Sequence, residues 1–194
     1  MFENLVELTL NGLKKRLDSD NTLIKQAEWG YAEQSKCYFR PPAPQNEIDS
    51  FFDELDLTIP NDFRQFLLIH NGAVLFEFEI FGYQQIFKHY IQWGDKERIP
   101  QGWYPIGVDA NGDMLYIDSN HCKEKKRENE YLFWKEHDKN IDDSAIDITM
   151  NFERWLERFC VCNGEPFWLW QFETSQTYYD QLKQHISNIE KYHK

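Results

Sequence analysis

Several features that define common protein classes are missing from this 194-residue sequence. No run approaches the roughly 18 apolar residues that cross a bilayer, and the N-terminal residues lack the basic and then apolar pattern of a standard signal. We therefore expect neither export nor membrane insertion. Four scattered cysteines are too few for a disulfide framework, so we expect reduced thiols and a cytoplasmic location. They are Cys37, Cys122, Cys160 and Cys162.

Recognisable catalytic and metal-binding motifs are also missing. There is no glycine loop that would cradle a phosphate and no Gly-x-Ser-x-Gly elbow. Asp109, Asn111 and Asp113 match the first ligand positions of a calcium loop, but Met114 and Asn120 stand where that loop needs glycine and glutamate. The cysteines do not have zinc-ligand spacing, and buried thiols explain them better. We predict no catalytic residue, no metal site, no cofactor and no enzymatic activity.

Positive charge is scarce. The chain has 33 acidic and 21 basic residues, a formal charge of −12. An acidic surface repels phosphate backbones and anionic lipids, so we expect neither direct nucleic-acid binding nor membrane binding, whereas a basic partner protein fits. Between Pro41 and Phe87 there are eight acids, and Arg64 is the one base. We predict that this stretch contributes a partner-binding surface. Its candidate residues are Glu47, Asp49, Asp53, Glu54, Asp56, Glu77 and Glu79, with Trp93 as an aromatic anchor.

Two further tryptophans, Trp29 and Trp103, are candidates for the same interface, since large aromatic residues often anchor binding surfaces. Burial in the core explains each tryptophan at least as well. Solubility alone also remains an explanation of the net charge.

What the chain has in abundance is packing material, because 16% of its residues are aromatic. Apolar residues at helical spacing predict helices near the N-terminus, on both sides of Pro60, over 144–163 and after Phe172. Alternating residues predict one strand over 74–81, and Asn111-Gly112 predicts a tight hairpin between two further strands. The order indicates an α+β fold with a largely antiparallel central sheet flanked by helices.

The chain divides at its proline-rich and Asn-Gly segments. The sequence predicts an N-terminal helical extension over 1–40, a compact domain over 41–162, and a C-terminal helical extension over 163–194 that packs on that domain. We expect one compact domain with added helices at both ends.

Three stretches together resemble the SUKH superfamily, the Smi/Knr-type domain. The first is the acidic helix from Ile48, the break at Ile59-Pro60, the second helix and the closing Asn71-Gly72. The second is the hairpin from Tyr104 to Asp118, and the third is Leu132–Trp134 followed by Phe152–Phe159. In this pattern Pro60, Asn71, Gly72, Asn111 and Gly112 match architectural positions, and the resemblance supplies no catalytic residues.

The resemblance implies an immunity protein that binds and neutralises a cognate bacterial polymorphic toxin, in many cases a nuclease. An acidic inhibitor suits such a toxin, because a nuclease carries a positive groove for its substrate. Two other hypotheses stay open: a regulatory scaffold of the Smi/Knr type that has no toxin partner, and a hydrolase or small-ligand enzyme with an unrecognised pocket. The oligomeric state is not indicated.

Overall fold

The computed structural model describes residues 4–26, 30–92, 99–124, 129–137 and 145–170, together with Asp180 and Lys183. These residues form an α+β fold, which confirms the predicted class. The helices are α1 (Leu5–Lys14), α2 (Gln45–Glu54), α3 (Asn61–Ile69), α4 (Tyr83–Gln92) and α5 (Phe152–Val161). The strands are β1 (Thr22–Gln26), β2 (Ala32–Lys36), β3 (Tyr38–Phe39), β4 (Ala73–Leu75), β5 (Phe78–Ile80), β6 (Trp103–Val108), β7 (Met114–Asp118), β8 (Leu132–Lys135) and β9 (Ile146–Asp147).

Seven strands make one antiparallel sheet in chain order, from β3 at one edge to β9 at the other. Helices α1, α3 and α5 pack against one another. Aromatic rings join α5 to the sheet. The ring centroid of Phe78 on β5 lies 5.4 Å from that of Trp155 and 5.5 Å from that of Phe159. The main core therefore lies between the sheet and α5, and it continues to α1 and α3.

Helix α1 confirms the N-terminal helix. Asn4 caps it by accepting a hydrogen bond from the Glu7 N–H, and its apolar face is buried. The expectation that 1–40 is helical fails beyond this helix, because β1 and β2 form a separate hairpin and β3 joins the main sheet by pairing with β4. β1 and β2 are mostly polar and exposed, and neither has the apolar alternation that would have indicated a strand. The predicted final helix, with the structure of most of 163–194, lies outside the described residues and stays a prediction.

The single strand predicted over 74–81 is a hairpin. β4 ends at Leu75, and the turn residues Phe76 and Glu77 have φ angles of 52° and 73°. Such a two-residue turn normally needs Asn or Gly, which tolerate positive φ. Here Phe76 is buried, and its ring centroid lies 5.8 Å from that of Phe159 of α5. Packing of Phe76 therefore explains the turn. The prediction of a single strand was wrong because the apolar side chain of Phe76 fits the alternating pattern of the residues around it.

The hairpin between β6 and β7 is confirmed, but its loop spans five residues, 109–113, rather than the tight Asn-Gly turn. Within it only Gly112 has a positive φ, at 93°. The Asp109 carboxylate accepts hydrogen bonds from the backbone N–H groups of Asn111 and Asp113, each at 2.9 Å. Asp109 thus shapes the turn, which is the structural role that the sequence favoured over calcium binding.

The Pro60 and Asn71-Gly72 signature lies at both ends of α3. Pro60 is the residue before the first turn. At the other end His70 is already extended, so α3 ends before Asn71-Gly72 rather than at it. Gly72 has a φ of 97°, and a β-carbon there would approach the Gly82 nitrogen to 2.8 Å. The Asn71 side-chain oxygen accepts a hydrogen bond from the Tyr83 N–H at the start of α4, at 3.0 Å.

Candidate partner-binding surface

Helix α2 carries four of the predicted acids, and a fifth, Asp56, follows the helix. Ile48 and Phe52, four positions apart, are buried and turn one face of the helix to the core. Pro44 precedes the helix, Leu55 ends it, and Asp56 follows in the left-handed region with a φ of 51°. The remaining positions face outward, and they carry Glu47, Asp49, Asp53, Glu54 and the adjoining Asp56.

Three of these acids form the free part of the surface. Asp53, Glu54 and Asp56 are exposed at the C-terminal end of α2. Within the described part of the chain, no side chain donates a hydrogen bond or forms an ion pair to their carboxylates. Negative charges at a helix C-terminus face the negative end of the helix dipole. Their placement therefore contributes nothing favourable to α2 itself.

The other two acids of α2 have partners inside the protein. The exposed Glu47 carboxylate accepts a hydrogen bond from the Tyr83 hydroxyl of α4, and this bond raises the pKa of Tyr83 to about 12. Asp49 forms an ion pair with Arg64 of α3, with the aspartate side chain 38% exposed. Both acids contribute negative charge to the surface, but that of Asp49 is already neutralised locally.

Glu79 is a partly buried acid whose carboxylate already has partners inside the protein. Its carboxylate lies 2.6 Å from the Arg40 guanidinium and 2.7 Å from the Gln85 amide nitrogen. Burial opposes ionisation of this carboxyl group, but the hydrogen bonds from Arg40 and Gln85 outweigh it and lower the pKa of Glu79. Glu79 on β5 thus bonds to Arg40, just after β3, and to Gln85 of α4. A partner therefore gains little from its charge.

The remaining predicted interface residues have different environments. Glu77 is exposed, but it sits at the second position of the β4–β5 turn. Trp93 and Trp29 lie outside the described residues. Trp103 is wrong as an interface anchor: it is only 8% exposed and packs 4.1 Å from Phe133 in a small second cluster.

An aromatic strip beside the acids was not identified from the sequence. Phe51 of α2 contacts two rings of α4, with centroids 5.5 Å from Tyr83 and 6.3 Å from Phe87. Phe51 and Tyr83 are partly buried, whereas Phe87 is 48% exposed. We call Phe51, Tyr83 and Phe87 the aromatic strip. The spacing of four residues between Tyr83 and Phe87 was the one signal in the sequence, but their contact with α2 is non-local.

One cleft of about 230 Å³ lies where α1, α3 and α5 begin, and it includes Asp62 and Tyr131. Both residues serve the fold. The Tyr131 hydroxyl donates to Asp62 and accepts from the Phe152 N–H at 3.1 Å, and Asp62 also accepts from the Glu153 N–H at 3.0 Å. Burial, reinforced by Asp62, raises the pKa of Tyr131. The Asp62 carboxylate is therefore occupied in capping α5.

The conspicuous histidine and cysteines are structural. His70 bonds through one ring nitrogen to the Arg40 carbonyl at 2.8 Å and through the other to Lys14 at 2.7 Å. Its pKa is lowered first by burial and then by Lys14. All four cysteines are free thiols, with Cys37 and Cys160 buried, and burial raises the pKa of Cys160 to about 12. Neither arrangement has the properties of an activated nucleophile.

The antiparallel sheet, its three-helix layer and the acidic α2 together define an α+β domain. Residues 42–158 match the model of the SMI1 / KNR4 family (SUKH-1), and the chain belongs to that family. It is 30% identical to the uncharacterized protein YobM of Bacillus subtilis (strain 168), over 91% of this chain and 97% of that protein. It is 31% identical to the uncharacterized protein YnaB of the same strain, over 70% of this chain and 89% of that protein.

Family membership confirms the resemblance found in the sequence and indicates a protein that acts by contact with other proteins. It does not supply a partner, because neither relative's name states one. No helix among the described residues is long and apolar enough to cross a membrane.

Proposed function

We propose that this protein is an immunity protein that binds and neutralises a cognate bacterial toxin through the acidic outward face of α2. One observation carries the proposal: Asp53, Glu54 and Asp56 are exposed together at the end of one helix and have no charge partner among the described residues. Like charges held close together cost electrostatic free energy in the isolated protein. A basic partner recovers that free energy on binding.

A nuclease toxin fits this surface best. Its active site must attract a phosphate backbone and therefore has a positive potential. Carboxylates at the same place occupy the position of phosphates and block the substrate. Complementary charge also accelerates association, with rate constants that reach about 10⁸–10⁹ M⁻¹s⁻¹ at low salt, and rapid binding limits the time for which the toxin acts.

The first experiment is co-expression. Each toxin gene adjacent to the gene for this protein is induced in a host with and without the intact chain. Restored growth, with formation of a purified complex, is the expected outcome. If the intact chain binds none of these toxins and leaves their toxicity unchanged, the immunity function is wrong and a regulatory scaffold becomes the better explanation.

The second experiment tests the surface by stopped-flow association with the purified toxin. The double variant Asp53→Lys/Glu54→Lys is compared with the control Glu7→Lys/Asp20→Lys, whose exposed positions lie on α1 and in the turn before β1. Both variants change the net charge equally. We expect the α2 variant to slow association at least about tenfold in low salt and the control about twofold or less. Equal effects of the two variants would show that overall charge, not α2, steers the partner.

A further inference from the structure

The aromatic strip adds a second type of contact to the acidic face of α2. Glu47 and Phe51 are four positions apart on α2, and Glu54 is three positions beyond Phe51, so all three share one face of the helix. Tyr83 and Phe87 of α4 border that face, and the Tyr83 hydroxyl bonds to Glu47. Carboxylates therefore lie on both sides of an aromatic surface.

The rings of this surface are held in place from below. Phe52 is buried, and its ring centroid lies 4.9 Å from that of Phe51 and 5.4 Å from that of Tyr104 of β6. A continuous series of rings thus runs from the core strand to the surface. Side chains that are already ordered lose little conformational entropy on binding, which favours affinity.

Charge complementarity identifies the side chain that this surface fits. The face of α2 is negative, and Lys88 is the one lysine or arginine in the described part of α4. A guanidinium stacks on an aromatic ring and pairs with carboxylates in the same plane, whereas an ammonium group behaves as a compact point charge. Phe87, a residue that is 48% exposed, offers the stacking face, and Glu47 and Glu54 offer the carboxylates.

We propose that the aromatic strip, flanked by Glu47 and Glu54, is an arginine-binding site that receives an arginine-bearing segment of the protein partner. This inference rests on the proposed function for its biological setting and deepens it by naming the chemistry of the contact. It makes a distinction that charge alone does not make, because the site should prefer arginine over lysine.

The test uses peptide probes, so it does not require the toxin. The intact ¹⁵N-labelled protein is titrated with acetyl-Leu-Arg-Arg-Leu-Arg-Arg-amide and with the peptide in which lysine replaces each arginine. We expect shift changes centred on α2 and α4, with a dissociation constant for the arginine peptide about three- to tenfold lower than for the lysine peptide. Equal affinities, shifts scattered over other acidic regions, or no binding would overturn the proposal.

Phe87→Ala is the decisive variant, because Phe87 is exposed and its replacement leaves the buried core residues in place. It should abolish the preference for arginine, and Phe87→Tyr should preserve it. The control is Leu8→Ala on α1, since Leu8 is 47% exposed, almost equal to Phe87. An unchanged preference in Phe87→Ala, or an equal loss in Leu8→Ala, would overturn the proposal.

Co-expression separates this inference from the proposed function. If the intact chain neutralises a toxin while the peptides show no preference, the arginine site is wrong and the immunity function stands. If the peptides bind the strip as expected while no adjacent toxin is neutralised, the site stands and the immunity function is wrong.

Discussion

Asp62 and Asp53 belong to the same acid-rich stretch of the chain, but the fold uses them in opposite ways. Asp62 accepts hydrogen bonds from Tyr131 and from the backbone of α5, and it ties α3 to α5. Asp53 is exposed on α2 and has no side-chain partner among the described residues. The net charge of a segment therefore does not measure its binding surface. The acids that remain after internal bonds are assigned define that surface.

The largest expected effect on stability comes from replacing Asp62, the acid that is bonded inside the protein. Asp62→Ala removes the acceptor for the Tyr131 hydroxyl and the Glu153 N–H, and we expect it to lower the free energy of unfolding by roughly 3 kcal/mol. Asp53→Ala should change it by less than about 0.5 kcal/mol. Urea denaturation of both variants measures the difference. Similar losses would mean that α2 depends on its outward acids.

The second prediction concerns His70, another internal polar contact. His70→Ala removes bonds to Lys14 and Arg40, and we expect a loss of about 2 kcal/mol at pH 7.5. The pKa of His70 in the fold lies below the ordinary value of 6.5. Its contribution is therefore complete above that value and is lost as the pH falls through the lowered pKa. The difference in the free energy of unfolding between wild type and His70→Ala should become smaller toward pH 5. If that difference does not change with pH, the prediction is wrong.

The third prediction separates Glu77 from the acids of α2. Because Glu77 has a φ of 73°, Glu77→Gly should raise the free energy of unfolding by about 1 kcal/mol. Glu54→Gly, in the last turn of α2, should lower it by up to about 1 kcal/mol. Thermal and urea unfolding give both values. If Glu77→Gly instead lowers the free energy of unfolding, the Glu77 side chain makes a stabilising contact that outweighs the relief of its positive φ.

The smallest expected effect tests the outward face itself. Asp53→Asn/Glu54→Gln keeps the size of both side chains, and we expect the free energy of unfolding to change by less than about 0.5 kcal/mol. The change should be an increase at low salt, because self-repulsion falls, and it should disappear at high salt. A loss above 1 kcal/mol would assign these acids to the fold instead of to a partner.

Local patterns predicted the elements whose cause is local. Spacing of apolar residues identified α1, α2, α3 and α5, and Asn111-Gly112 marked the β6–β7 loop. The helix predicted over 144–163 is shorter than expected, because β9 occupies 146–147 and α5 begins at Phe152. Elements set by tertiary packing were missed. The β4–β5 turn contains no turn-forming residue and exists because Phe76 packs on Phe159, while β1 and β2 lack a clear alternation.

The same distinction applies to the surface. Helical periodicity placed four acids on α2, with Asp56 just after it. It could not show that Glu79 is already paired, because its partner Arg40 lies 39 residues earlier in the chain. Nor could it place Phe51 beside Phe87, because that contact depends on how α2 and α4 meet. Periodicity identifies which residues face outward, and only tertiary structure shows which of them already have partners.

The hydrogen bond from the Tyr83 N–H to the Asn71 side chain also has a kinetic consequence. It joins two residues that are twelve positions apart and closes the segment that contains β4, its turn and β5. Short loops close on the time scale of tens of nanoseconds, long before distant strands find one another. The beginning of α4 can therefore be positioned early in folding, by contacts close in the chain, before α5 completes the core.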